Sequence, residues 1–226
     1  MNSIAKILSL CEPVQRGDMI RRVEEMLLER EIKRGSVPSS VALVISKEAM
    51  APRWWRKVGD LAGWCTSLEI REAAIFAATT GAGTGGIGYG EEATAELSEL
   101  PAKGCLLFEE GEISFGKGGP LELVVSLGCG GKAEVTSAIR SVIEDVSSGL
   151  MDPQEIDEAA IEARLRLKQR PDLLIRLGRR ELSDFMIWQS AYSELYFIDR
   201  SWESLEKVDF LRAVRDYQRR ERRFGK

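Results

Sequence analysis

The sequence predicts an α/β fold, a mostly parallel central sheet flanked by helices, and three observations carry that reading. Four short segments are almost wholly apolar: "SVALVIS" (40–46), "EIREAAIFAA" (69–78), "LELVVSLG" (121–128) and "PDLLIRLG" (171–178). Strands buried on both faces of a parallel sheet have this character. They alternate with longer segments whose apolar residues recur at helical spacing. The chain has 226 residues, 44% of them hydrophobic, without a linker or internal repeat, which suits one domain with a substantial core.

From the N-terminus, "MIRRVEEMLLEREIKRG" sets Ile20, Val23, Met26, Leu27 and Leu28 at helical spacing and stops at Gly35. This gives an N-terminal helical segment, 1–36, ahead of a single domain, 37–226. After the first strand, "PRWWRKVGDLAGWCTSL" reads as a helix with Pro52 near its start. "KGCLLFEEGEISFG" reads as a hairpin or two short strands, and "CGGKAEV" opens a helix that runs to about Ser147. Asp152 and Pro153 fit an N-cap followed by proline at the first helical position, starting a helix to about Lys168. "SDFMIWQSAYSELYF" reads as a helix capped by Ser183 that buries Phe185, Trp188 and Tyr192. A last helix from about Lys207 carries Phe210, Val214 and Tyr217.

Composition removes several function classes. The chain has no histidine, which excludes Ser-His-Asp and Cys-His catalysis and His-ligated zinc. Proton transfer would fall to Asp, Glu, Lys, Tyr or water. The net charge of −4 argues against general affinity for nucleic acid or anionic membrane. From Arg212 to Lys226, however, seven Lys/Arg face two Asp/Glu. That stretch reads either as a phosphate contact or as a solvated helix face with i,i+4 ion pairs. Cys11, Cys65, Cys105 and Cys129 are widely spaced and read as structural thiols of a cytoplasmic protein. The first residues make a poor signal peptide.

"TTGAGTGGIGYGEE" (79–92) contains G-x-G-x-x-G at Gly81, Gly83 and Gly86, where the second strand ends. A phosphate cradle and a flexible loop are both compatible with that spelling. Against the cradle, Glu91 and Glu92 would face a pyrophosphate with like charge, and the motif does not follow the first strand.

The final third, "RPDLLIRLGRRELSDFMIWQSAYSELYFIDRSWESLEKVDFLRAVRDYQRRERRFGK", closely resembles the C-terminal signature of cis-prenyltransferases, the undecaprenyl diphosphate synthase family. "SLGCGGKAEVTSAIRSVIEDVSSGLMDPQEIDE", "SVALVIS" and "WCTSLEIREAAIFA" resemble earlier parts of the same family more weakly. The resemblance implies a dimer of α/β subunits that condenses isopentenyl diphosphate onto an allylic diphosphate with Mg²⁺.

Two departures stand against that background. The family's first strand ends in Asp-Gly-Asn-Gly-Arg-Trp, the aspartate supporting Mg²⁺; here the strand leads into Ser46, Lys47, Glu48, Ala49 and Met50. The loop after the family's second strand, with its Ser/Thr, Asn, Trp, Arg and Pro, is replaced by the glycine stretch, expected to be a mobile remnant of a lost site. The isopentenyl half is partly kept. Arg176 and Gly178 match the family's first arginine and turn glycine, and Ser183 matches its serine. Glu181 stands where the second arginine belongs, so Arg179 or Arg180 would have to substitute; Arg176 could alternatively only cap its strand. Glu194 matches an acidic position near the metal, or pairs with a nearby arginine.

Arg223 and Gly225 match the family's Arg-x-Gly motif, which reaches into a neighbouring subunit's isopentenyl diphosphate site, and the sequence stops one residue later. This resembles non-catalytic accessory subunits of the Nogo-B receptor type. The resemblance implies a catalytic cis-prenyltransferase partner that holds the Mg²⁺, with membrane contact through the product. Tyr196, Phe197 and Trp202 are the expected subunit interface. The alternatives are a homodimeric enzyme with altered prenyl or diphosphate chemistry, and a scaffold that merely holds a prenyl enzyme or lipid.

Overall fold

Seven strands form one sheet in the order β4-β3-β5-β2-β1-β6-β7. The computed structural model describes residues 13–46, 53–78, 91–108, 111–128, 130–178 and 186–220. In chain order the elements are α1 (Pro13–Ile32), β1 (Ser40–Ser46), α2 (Trp54–Ser67), β2 (Glu72–Ala78), α3 (Glu91–Ser98), β3 (Ala102–Phe108), β4 (Gly111–Phe115), β5 (Leu121–Leu127), α4 (Gly131–Ser147), a 3₁₀ turn (Pro153–Glu155), α5 (Glu158–Glu162), β6 (Leu173–Leu177), β7 (Glu194–Ile198) and α6 (Lys207–Arg219). Every neighbouring pair is parallel except β3 and β4, the expected hairpin. Gly104 pairs with Phe115 there, and a Cβ on residue 104 would collide with the aromatic ring.

Alternation along the strands divides the core. One face carries Val41, Leu43, Ile45, Ala73, Ile75, Leu123, Val125, Leu173 and Ile175. Against it lie α2, α6 and the inner side of α1, through Trp54, Leu61, Phe210, Val214, Leu28 and Ile32. The other face is covered more thinly: Ala42, Val44, Ala74, Phe76, Leu107 and Leu174 pack with Leu167 and Met186.

Three elements differ from the sequence reading. The predicted helix over 152–168 is broken in two. Asp152 caps a 3₁₀ turn through the Gln154 amide, and Asp157 then caps a new five-residue helix through the Ala160 amide. Two capping carboxylates five residues apart each start a turn, and the extended Ile156 separates them. The predicted helix "SDFMIWQSAYSELYF" is, in its described part, a turn followed by β7. Tyr and Phe suit a strand as readily as a helix, and the edge of β6 supplies backbone partners that the sequence alone does not reveal. Tyr192, expected inside, is exposed; Trp188 is half-buried, and Phe185 and the Ser183 cap lie outside the described residues.

The third difference concerns α1. Leu28 and Ile32 are buried, but Ile20, Val23, Met26 and Leu27 face outward. Beside that apolar contact, α1 meets α6 through charge. Arg212 grips Glu24 with Nε at 3.0 Å and Nη2 at 2.6 Å, Arg219 pairs with Glu31 at 2.9 Å, Lys207 with Glu29 at 2.7 Å, and Arg21 pairs with Glu206. The basic C-terminal stretch, as far as residue 220, is thus largely engaged across the helices, with one i,i+4 pair, Asp216–Arg220.

Candidate active-site crevice

Because β2 leaves β1 on one side and β6 arrives on the other, β1 marks the point where the sheet's winding reverses. Open α/β sheets bind ligands outside the carboxyl ends of the strands at such a point. Here those ends are Ser46, Ala78, Leu127 and Leu177, with Ser46 in register with Ala78.

One row of paired residues crosses the sheet just before this edge: Leu107, Ser126, Phe76, Val44, Arg176 and Phe197. They therefore share one face. Arg176 is 5% exposed, and its Nη1 donates to the Val44 carbonyl at 3.2 Å. A guanidinium in so apolar a row is costly unless its donors are used. Two residues later Gly178 takes φ +77°, and its amide donates to the Ile198 carbonyl at 3.0 Å. A Cβ there would meet no atom within 4 Å, so the backbone conformation and not crowding calls for glycine. The structure thus places Arg176 and Gly178 at the carboxyl edge of the sheet. Arg179, Arg180, Ser183, Arg223, Gly225 and the 79–90 glycine stretch lie outside the described residues.

Glu194 goes elsewhere. β6 and β7 are parallel with Leu173 opposite Glu194, so Glu194 sits at the amino end of its strand. Four residues of strand, about 13 Å, separate that level from Leu177 at the crevice. Its Oε2 accepts from Arg220 Nη1 at 3.1 Å. Partial burial works against the Arg220 charge, but its hydrogen bonds to Glu194 and Asp216 raise its pKa further.

The three expected interface residues separate. Phe197 lies on the edge strand, 37% exposed. Tyr196 is half-buried against the larger core. Trp202 is corrected: it is 0% exposed, with Nε1 donating to the Trp54 carbonyl at 3.1 Å, and it belongs to the core. An indole followed by "ESLEKVDF" reads as surface in sequence, but its ring fills space beside α2.

Two features of the crevice escape a register-bound reading. Counting from Ser46, the family motif's Arg-Trp falls on Met50 and Ala51, yet an Arg-Trp dipeptide occurs three residues later as Arg53-Trp54. Arg53 has φ 68°, rare for a non-glycine residue, at the entry to α2. It reaches Glu92 of α3 at 3.4 Å, joining the two helix starts. The indole N–H groups of Trp54 and Trp55 are buried without a partner among the described residues. The second feature is Glu134, on the first turn of α4 after β5. Its buried carboxylate accepts from the Leu167 amide at 2.7 Å and from Gln189 Nε2 at 3.1 Å, while Gln189 also donates to the Leu167 carbonyl at 3.0 Å. This clamp fixes the segment between β6 and β7. The residues "GGKAE" were its only sequence signal.

Mg²⁺ would need carboxylate oxygen at the crevice. The strand ends there supply Ser46, Ala78, Leu127 and Leu177, and no group of three or more acidic or thiol ligands occurs among the described residues.

Residues 92–225, more than half the chain, match the family model described as "Putative undecaprenyl diphosphate synthase". The chain belongs to the undecaprenyl diphosphate synthase family of cis-prenyltransferases. The match begins after β1, α2 and β2, the part where the departures cluster. Among relatives, the chain is 30% identical over 244 residues to a tritrans,polycis-undecaprenyl-diphosphate synthase (geranylgeranyl-diphosphate specific) of Thermococcus kodakarensis, covering 90% of this chain and 92% of the relative. It is 29% identical over 252 residues to the protein so named from Methanopyrus kandleri, covering 92% of each. Because 92% of 226 residues is about 208, some 44 of those 252 aligned positions have no counterpart here. The fold is that of the cis-prenyltransferases: a crystal structure of lavandulyl diphosphate synthase from Lavandula x intermedia, in complex with dimethylallyl diphosphate, superposes with TM-score 0.65 at 19% identity, covering 84% of this chain and 99% of that one. No helix of the described residues is long and apolar enough to cross a membrane.

Proposed function

We propose that this cis-prenyltransferase family member is a non-catalytic subunit of a heteromeric polyprenyl diphosphate synthase. It completes the isopentenyl diphosphate site of a catalytic partner, which holds the Mg²⁺ and the allylic diphosphate. One observation carries the reading. Arg176 and Gly178, which match the family's isopentenyl-side residues, lie at the carboxyl end of β6, while β1 ends in Ser46, the position matched to the family's aspartate. Transfer from an allylic carbon requires the departing diphosphate's charge to be neutralised. Among the described residues, the strand ends Ser46, Ala78, Leu127 and Leu177 carry no charge for this.

The C-terminal anchor supports the same reading. Arg220 is tied to the amino end of β7, away from this subunit's crevice. Arg223 and Gly225 follow directly and suit delivery to a neighbour, where guanidinium and backbone donors bind diphosphate. Product held in the complex brings it against a membrane.

A second reading, a homodimeric prenyl-diphosphate transferase with altered chemistry, is favoured by relatives that are named as synthases and match over nine-tenths of both chains. The two separate in one assay. The purified chain is incubated with isopentenyl diphosphate, Mg²⁺ and either farnesyl or geranylgeranyl diphosphate, with and without a family subunit carrying the intact Asp-Gly-Asn-Gly-Arg-Trp motif. Polyprenyl product only in the mixture, above that of the added subunit by itself, supports the accessory role. Product from the chain alone replaces it with the second reading.

A further inference from the structure

The outward side of α1 has no described partner and an unusual composition. Ile20, Val23 and Leu27 follow one another at i, i+3 and i+7, with Met26 beside them, and they are 52%, 45%, 57% and 44% exposed respectively. Burial against the subunit uses the opposite side, through Leu28 and Ile32. An amphipathic helix normally turns its apolar stripe inward; α1 presents a second stripe to the outside.

Charge on α1 is sorted the same way. Four of its five acids are neutralised: Asp18 by Arg21, Glu24 by Arg212, Glu29 by Lys207 and Glu31 by Arg219. The fifth, Glu25, is half-buried and lies at i+4 from Arg21 and i−3 from Leu28, on the inner side. Arg22 and Arg30, with Lys33 and Arg34 just past the helix end, are exposed and form no close ion pair with a described residue, although Lys33 helps to lower the Glu29 carboxyl from a distance. Arg30 and Arg34 continue the Val23–Leu27 stripe by helical spacing, and Arg22 and Lys33 border it. The sequence ahead of α1 has the same make-up: Ile4, Ile7, Leu8 and Leu10 with Lys6, and no acid before Glu12.

We propose that this face of α1 is a docking surface for an anionic lipid bilayer. The apolar stripe enters the headgroup boundary and the four bases meet lipid phosphates, the arrangement of helices that lie in the membrane surface. A neutral protein groove would satisfy the stripe but leave four cations desolvated at its rim. The inference concerns this chain alone and does not rest on the catalytic reading: contact is made by the protein and needs neither product nor partner.

The test is cosedimentation of the purified full chain, without substrate or second subunit, with vesicles of phosphatidylcholine or of phosphatidylcholine plus phosphatidylglycerol. Binding at least about tenfold stronger to the anionic vesicles, weakening with added salt, is expected. Ile20→Ser/Leu27→Ser should reduce it at least about tenfold, from the apolar area lost. Arg22→Glu/Arg30→Glu/Lys33→Glu/Arg34→Glu should abolish the anionic preference. All these positions are exposed, so an unchanged circular dichroism spectrum certifies the variants. Equal binding to both vesicle types, or undiminished binding by the variants, overturns the proposal. So does absence of vesicle binding together with self-association that Ile20→Ser/Leu27→Ser removes, which would make the face a contact between copies.

Discussion

Glu194, the first residue of β7, holds Arg220, the residue that closes α6, at 3.1 Å, and the same guanidinium donates to the neighbouring Leu195 carbonyl at 2.9 Å. This tie determines where the chain's last six residues start. Arg220→Ala should lower turnover of the proposed complex by at least about tenfold, because a tail released from its anchor must be ordered anew at the partner's site. Its stability cost should stay below about 1 kcal/mol, since the pair is partly exposed. Steady-state kinetics and urea unfolding check both halves; unchanged turnover would separate the anchor from function.

Arg223→Ala tests the delivered group itself. It should reduce the complex's kcat/KM for isopentenyl diphosphate by about 10²-fold, the scale of one lost charge-assisted contact. Association measured by gel filtration should be unaffected.

Arg176 decides whether the crevice of this subunit binds anything. Arg176→Met keeps the stem's bulk within the apolar row and removes the donor to Val44. Calorimetric titration with isopentenyl diphosphate should show binding to the wild type and at least about tenfold weaker binding to the variant, the loss of one charged contact. No binding by either protein would leave Arg176 as a strand-end strut.

Trp202 and Phe197 should behave oppositely. Trp202→Ala opens a cavity in the larger core and should cost about 3–5 kcal/mol. Phe197→Ala, on the exposed edge strand, should cost less than about 1 kcal/mol and act instead on subunit association. Denaturant unfolding and analytical ultracentrifugation distinguish them.

Glu134→Ala leaves the Leu167 amide and Gln189 Nε2 without their acceptor and should destabilise by about 2–4 kcal/mol, whereas Glu134→Gln, which keeps one acceptor oxygen, should lose less. Cys65 gives a pH test. Full burial pushes its thiol up to about 12 from an ordinary 9.0. The folded state then holds a proton that the unfolded state releases above about pH 9, so stability declines as pH rises from there. At pH 8, peptide mapping after alkylation should find Cys65 unmodified in the folded protein and labelled in urea.

Some of this was open to inspection without coordinates. Four apolar strands, their alternation with helices and the long C-terminal signature were enough for the fold and the family, because burial on both faces of a parallel sheet leaves a nearly continuous apolar run. That a serine closes the first strand was likewise visible, since a strand end is a fixed point for counting. Where a side chain goes once two surfaces meet could not be counted along the chain. "ELYFI" became a strand because β6 offered it an edge. Trp202 went inside because α2 left room beside Trp54. Glu194 was carried to the strand end opposite Arg176 by parallel pairing. On α1 the apolar residues were divided: Leu28 and Ile32 took the inner side beside the ion pairs with α6, and Ile20, Val23, Met26 and Leu27 were left facing out. Periodicity reports that a helix has an apolar face, and only packing decides what that face meets.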